Sequence, residues 1–130
     1  PRKPRFFVPG VPVHVAQRGN NRQPVLFGDN DYAVCLDWLA EAAAAHGLQV
    51  HAYVLMTKHI HLLTTPAEVR SVSATLQALG RRFVPYINRS YQRTGTLWDG
   101  RYKANPVQQE DYLLTCYRYI GLNPFAPGGR

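Results

Sequence analysis

The sequence predicts an α+β fold, an antiparallel sheet with helices packed on it in a split β-α-β arrangement. Two kinds of pattern and their order predict it. Short runs alternate apolar and polar residues or are rich in β-formers, and between them lie longer stretches with apolar residues every three or four positions. Their succession is β, α, β, β, α, β, α, in which two crossover helices flank one hairpin.

The first run spans Val11 to Gln17, with Val11, Val13 and Val15 on one face and Pro12, His14 and Ala16 on the other. Arg18-Gly19-Asn20-Asn21-Arg22 reads as a polar turn. Asp29, Asn30 and Asp31 are helix-start residues, and Tyr32, Cys35, Leu36, Leu39 and Ala43 follow at helical spacing until His46-Gly47 stops the helix. Val50 to Met56 and His59 to Thr64 form two β-runs joined at Thr57-Lys58, a predicted antiparallel hairpin that Pro66 ends. The next helix carries Val72, Leu76, Leu79, Phe83 and Ile87 on one stripe. Pro85 lies inside it, removes a backbone donor, and predicts a kink or break. Arg93 to Gly100 is a loop, and Arg101 to Gln108 a short strand that Pro106 confines to an edge or bulge. Glu110 and Asp111 open a last helix that runs to Leu122 and is stopped by Asn123-Pro124.

With 130 residues and 45% hydrophobic side chains, the chain is expected to form one domain over its whole length. No apolar run approaches the roughly 20 residues that cross a bilayer. The basic start lacks the apolar stretch of a signal peptide, so a cytoplasmic protein is expected. Cys35 and Cys116 sit in apolar helical patterns and read as core thiols. The net charge is +7 and unevenly placed: residues 1–68 carry six basic and five acidic side chains, residues 69–130 nine and three. That imbalance favours a polyanionic partner. The basic residues do not line one face of an amphipathic helix, which argues against a membrane-surface role.

Two places can carry chemistry. His59-Ile60-His61 puts two imidazoles on one face of a strand, a pairing that suits a divalent metal and equally suits two solvent-facing polar residues. On the last helix, Tyr119 and Asn123 are one turn apart beside the apolar stripe of Leu113, Cys116 and Ile120. A tyrosine hydroxyl can act as a nucleophile, and an asparagine carbonyl oxygen can be a metal ligand. The plainer reading of the same pair is a packed tyrosine and a helix cap.

Four stretches decide between these readings. Val13 to Asn21 (VHVAQRGNN), Ala52 to Leu63 (AYVLMTKHIHLL), Gly95 to Lys103 (GTLWDGRYK) and Tyr117 to Pro124 (YRYIGLNP) resemble, in this order, the REP-associated tyrosine transposases. These are relatives of the single-tyrosine HUH insertion-sequence transposases. The resemblance implies a ferredoxin-like, RRM-like sheet whose His-x-His pair binds Mg²⁺ or Mn²⁺. It implies metal ligands His59, His61 and Asn123, and a nucleophile, Tyr119, that attacks a DNA phosphate and stays joined to the 5′ side. The implied substrate is single-stranded DNA with a REP-like palindromic hairpin, handled by a monomer or a homodimer, with the tyrosine acting in cis or in trans. For that substrate Arg18, Arg22, Arg81, Arg82, Arg89, Arg93, Arg101 and Lys103 can follow phosphates, and Phe6, Trp98 and Tyr102 can stack bases.

The chain departs from the family pattern at Lys58, where relatives carry Asn or Pro, at Pro85, and at Gly121, which weakens a helix by about 1 kcal/mol. It is also expected to lack the C-terminal DNA-reading tail of some relatives. Two other readings remain: a catalytically silent binder of palindromic DNA or RNA hairpins, and a hydrolase that uses the histidine pair to activate water.

Overall fold

The computed structural model describes residues 7–107. The last predicted helix, with Cys116, Tyr119, Gly121 and Asn123, lies outside the described residues, as does Phe6.

Four strands and two helices follow the predicted order: β1 Val13–Arg18, α1 Asp29–His46, β2 Leu48–Met56, β3 His59–Pro66, α2 Ser71–Ser90 and β4 Lys103–Pro106. The strands form one sheet in the order β2-β3-β1-β4, antiparallel at every pairing. This is the ferredoxin-like arrangement that the order of elements predicts. β4, with Pro106 at its end, is an edge strand as expected.

Alternation decides which face is covered. Val13 and Val15 of β1 and Ile60 and Leu62 of β3 are at most 2% exposed, and they form one core with Cys35, Leu39, Leu79, Phe83 and Ile87 of the helices. Both helices therefore cover the same face of the sheet. Burial pushes the Cys35 thiol up to about 12, so it is an inert core group, as read from the sequence.

α1 ends where predicted: Gly47 takes the left-handed conformation (φ 70°) and its N–H bonds the Ala43 carbonyl. Its start is tied to the end of α2. Asp31, 1% exposed, accepts through Oδ2 from the N–H groups of Phe27 and Gly28 (both 2.9 Å) and from the Tyr91 hydroxyl (2.6 Å). Its Oδ1 accepts from the Tyr86 hydroxyl at 2.7 Å. Burial pushes this carboxyl up, and the four donors outweigh that and hold it below its ordinary value.

The structure differs from the sequence expectation at Pro85. α2 continues through it as one helix to Ser90. Pro85 and the residue one turn earlier, Arg81, are both on the exposed side, so the carbonyl that loses its donor can turn to water. Strand limits shift by one or two residues as well. β1 starts at Val13 rather than Val11 and includes Arg18, which was expected in the turn.

β2 holds one irregularity that alternation alone does not reveal. Val50 pairs with Thr64, but Ala52 pairs with Leu63, so His51 is an extra residue in a bulge. The bulge reverses the strand's phase. Leu48, Val50, Tyr53 and Leu55 then belong to the core, while Ala52, Val54 and Met56 turn to the other face.

Candidate metal and nucleic-acid site

The face away from the helices carries the site. Across the pairing register, Arg18 lies opposite His59, Ala16 opposite His61, and His14 opposite Leu63. On the other side Met56 lies opposite His59 and Val54 opposite His61. Lys103 of β4 sits opposite Ala16.

His59 and His61 stand next to each other as the strand alternation predicts, ring centroids 4.9 Å apart and planes at 74°. His59 Nε2 lies 2.9 Å from the Met56 sulfur. A third imidazole joins them. His14 Nε2 is 3.3 Å from His61 Nδ1, with the two rings 8° from parallel and centroids 5.3 Å apart. At each of these contacts the tautomer decides whether the ring nitrogen donates or accepts.

The surroundings keep the rings uncharged. Burial, followed by the neighbouring His59 and His14, pulls the His61 pKa down to about 4. Burial and the Arg18 guanidinium lower that of His59, and burial lowers that of His14. At neutral pH each ring therefore keeps a lone pair, the state a metal requires.

Backbone hydrogen bonds assemble the rim. The N–H of Gly19 bonds the Lys58 carbonyl at 2.9 Å, and the N–H groups of Val25 and Leu26 bond that of Thr57 at 2.8 and 3.2 Å. The Asn20 N–H reaches the Leu97 carbonyl (2.9 Å), and the Asp99 N–H reaches that of Arg18 (2.7 Å). Three of the four sequence blocks thus meet at one corner of the sheet. Gly19 is required there because a Cβ would press on the Gln23 carbonyl oxygen.

An open pocket of about 510 Å³ lies against the histidines, lined by Ala16, Gln17, Arg18, His59, His61, Asp99, Arg101 and Lys103. A second, of about 520 Å³, shares Gln17 and Arg101 with it and is walled by α2 and the loop before β4, including Arg70, Arg81, Trp98 and Tyr102. Arg18, Arg101 and Lys103 are therefore gathered around the histidine pair, and Arg81, Trp98 and Tyr102 around its neighbour. Tyr102 is only 7% exposed and belongs to the core, and Trp98 packs on Phe83 with centroids 6.2 Å apart. Arg82 is elsewhere. It bonds Glu41 at 2.8 Å and lies over the Trp38 ring of α1, in the helix layer. Arg22 is an exposed residue of the turn after β1.

The described donors fit one side of an open metal site, with two adjacent uncharged imidazoles on a pocket wall. Among the described residues no three His, Cys, Asp or Glu side chains are arranged to hold a metal ion. Asn123 and Tyr119 lie outside the described residues. The sequence reading missed His14, although its alternation had already put that residue on the face away from the core. It also missed Gln17 and Asp99, for which a single strand or loop offers no signal.

A ferredoxin-like antiparallel sheet with a His-x-His pair on the face away from its two described helices is the architecture of HUH-type single-tyrosine transposases, and that is the class of this chain. The sequence profile of the family described as Transposase IS200 like matches residues 7–123, and the chain belongs to that family. Among solved structures it is similar to a REP-associated tyrosine transposase bound to a REP hairpin (TM-score 0.74, 16% identity, 95% of this chain and 72% of that one). It is also similar to a Deinococcus radiodurans protein assigned as a transposase (TM-score 0.62, 26% identity, 93% and 96%). A bacterial tRNA(His) guanylyltransferase-like protein in complex with GTP shares the fold more distantly (TM-score 0.54, 13% identity, 88% and 64%). No curated protein matches the sequence closely. No helix among the described residues is long and apolar enough to cross a membrane.

Proposed function

We propose that the protein is a divalent-metal-dependent endonuclease and strand transferase for single-stranded DNA, acting at or beside REP-type palindromic hairpins. The observation that carries this reading is the pair His59 and His61, both held uncharged at the wall of a pocket that Arg18, Arg101 and Lys103 also line.

In this reading Arg18, Arg101 and Lys103 hold the DNA backbone and place a phosphate over the histidines. His59, His61 and Asn123 hold the metal. Mg²⁺ or Mn²⁺, when bound, neutralises and polarises the scissile phosphate. The Tyr119 oxygen attacks phosphorus, the bond to the 3′ oxygen breaks, and the tyrosine proton ends on the 3′-OH that leaves. The strand stays joined to Tyr119 as a 5′-phosphotyrosine, which a second 3′-OH can attack to reseal DNA without ATP. The site face supports cutting over base stacking. Apart from the histidines, its described strand residues are non-aromatic, without the aromatic platform by which related sheets hold RNA.

The test is a denaturing gel of the protein with labelled hairpin DNA and Mn²⁺, run beside Tyr119→Phe. A slow, protease-sensitive DNA band is expected with the wild type and absent with the variant. A hairpin retained on a native gel with no such band would mark a binding protein. Free ends carrying a 5′-phosphate would mark water as the nucleophile.

A further inference from the structure

His14 is not part of the His-x-His pair, yet the neighbouring strand brings its ring against that of His61. Its Nε2 faces His61 Nδ1 at 3.3 Å. That separation plus the two ring radii nearly equals the 5.3 Å between centroids, so the nitrogens lie close to the line joining the rings. With planes only 8° apart, the two imidazoles meet end to end, the geometry of an N–H···N hydrogen bond rather than of face stacking.

Such a bond has two possible directions. Either His61 carries its proton on Nδ1 and donates, or His14 donates and His61 carries its proton on Nε2. Only the first leaves a lone pair on Nε2, the nitrogen across the ring from His14. In metal sites the outer partner of a ligating histidine fixes the tautomer and the ring in this way.

We propose that His14 is the positioning residue of this centre: its Nε2 accepts from His61 Nδ1–H and so presents the His61 Nε2 lone pair to a divalent cation. This rests on the metal role proposed above for His61. His14 does not itself ligate, in keeping with the absence of a three-residue metal cluster among the described residues. Its position favours the task. β1 is the neighbouring strand, His14 is half-buried on the site face, and the pairing of β1 with β3 fixes its distance from His61.

The experiment combines nitrogen NMR of the histidine rings in metal-free protein with Mn²⁺ binding followed by the EPR signal of the free ion. It compares wild type, His14→Phe and His14→Gln. Phenylalanine keeps a ring without an acceptor, whereas the glutamine carbonyl oxygen can stand where Nε2 stood. Amide spectra report whether each variant folds. In the wild type His61 is expected to carry its proton on Nδ1. His14→Phe should lose that tautomer and bind Mn²⁺ roughly 10- to 100-fold more weakly, and His14→Gln should recover most of both. A wild type that binds Mn²⁺ with His61 protonated on Nε2, or a His14→Phe that binds it equally well, overturns the positioning role and leaves the metal reading intact. A folded wild type that binds no Mn²⁺ overturns the metal reading, and the positioning role falls with it.

Discussion

Asp31 offers the sharpest test of how the two helices are held over the sheet. Replacing it by asparagine keeps size and shape but removes the charge that four donors share, and it puts an amide N–H, which cannot accept, in place of one carboxylate oxygen. Hydrogen bonds to a charged group contribute about 1.5–3 kcal/mol each and neutral ones about 0.5–1.5. Four bonds thus lose about 4 kcal/mol together. Part of this returns because a neutral amide is cheaper to bury than a carboxylate. The net expectation for Asp31→Asn is a loss of about 2–3 kcal/mol, a fall of about 10 °C in Tm for a domain of this size. Asp31→Ala should cost about 4 kcal/mol, since the Phe27 and Gly28 N–H groups lose their acceptor as well. Urea denaturation at pH 7 measures both, with the exposed Asp29→Asn as a control that changes stability by less than about 1 kcal/mol. The sign with pH follows from the lowered carboxyl. The advantage of wild type over Asp31→Asn is fully present above the ordinary value of 3.8 and fades as pH falls through the folded value. An Asp31→Asn protein within 0.5 kcal/mol of wild type, about the spread of a neutral surface substitution, would refute the reasoning.

Other outcomes follow from the site. With chelator present, the unfolded chain binds a proton at His61 near 6.5 and the folded chain only near 4. Stability should therefore decline as pH is lowered through that window, by about 1–2 kcal/mol after allowance for solvent screening, and His61→Gln should flatten the decline in urea midpoints. Gly19→Ala drives a methyl group against the Gln23 carbonyl and should cost about 2–3 kcal/mol in chemical denaturation. Arg82, held by Glu41 and Trp38, should change stability by less than about 1 kcal/mol when replaced by alanine and leave hairpin retention unchanged. Lys103→Ala should instead weaken retention across sequences and lower the salt slope by about 1 in a titration of binding against salt.

The order of elements, the hairpin and the shared face of His59 and His61 were legible because each depends on local periodicity, which strands and helices express directly. The Gly47 stop was legible for the same reason, since a single residue supplies the left-handed turn. Three features were not. The bulge at His51 carries neither Gly nor Pro, so the reversal of phase in β2 depends on its pairing with β3. The continuity of α2 depends on Pro85 facing solvent, which propensity does not encode. The closeness of His14 to His61 joins residues 47 positions apart and appears only once β1 and β3 pair. Among the basic residues, Arg18, Arg101 and Lys103 lie in the resembling stretches and line the histidine pocket, whereas Arg82, outside those stretches, is taken up by a helix–helix contact.

The turn between β2 and β3 anchors its neighbours through the carbonyls of Thr57 and Lys58, while both side chains are exposed. Every amino acid brings the same carbonyl, so these two positions are free to change while the corner they hold stays fixed. Lys58 therefore contributes surface charge beside the histidine pair and not the packing of the corner. The same freedom makes position 58 a suitable attachment point for a spectroscopic label, one residue from His59 and outside the packing that holds it.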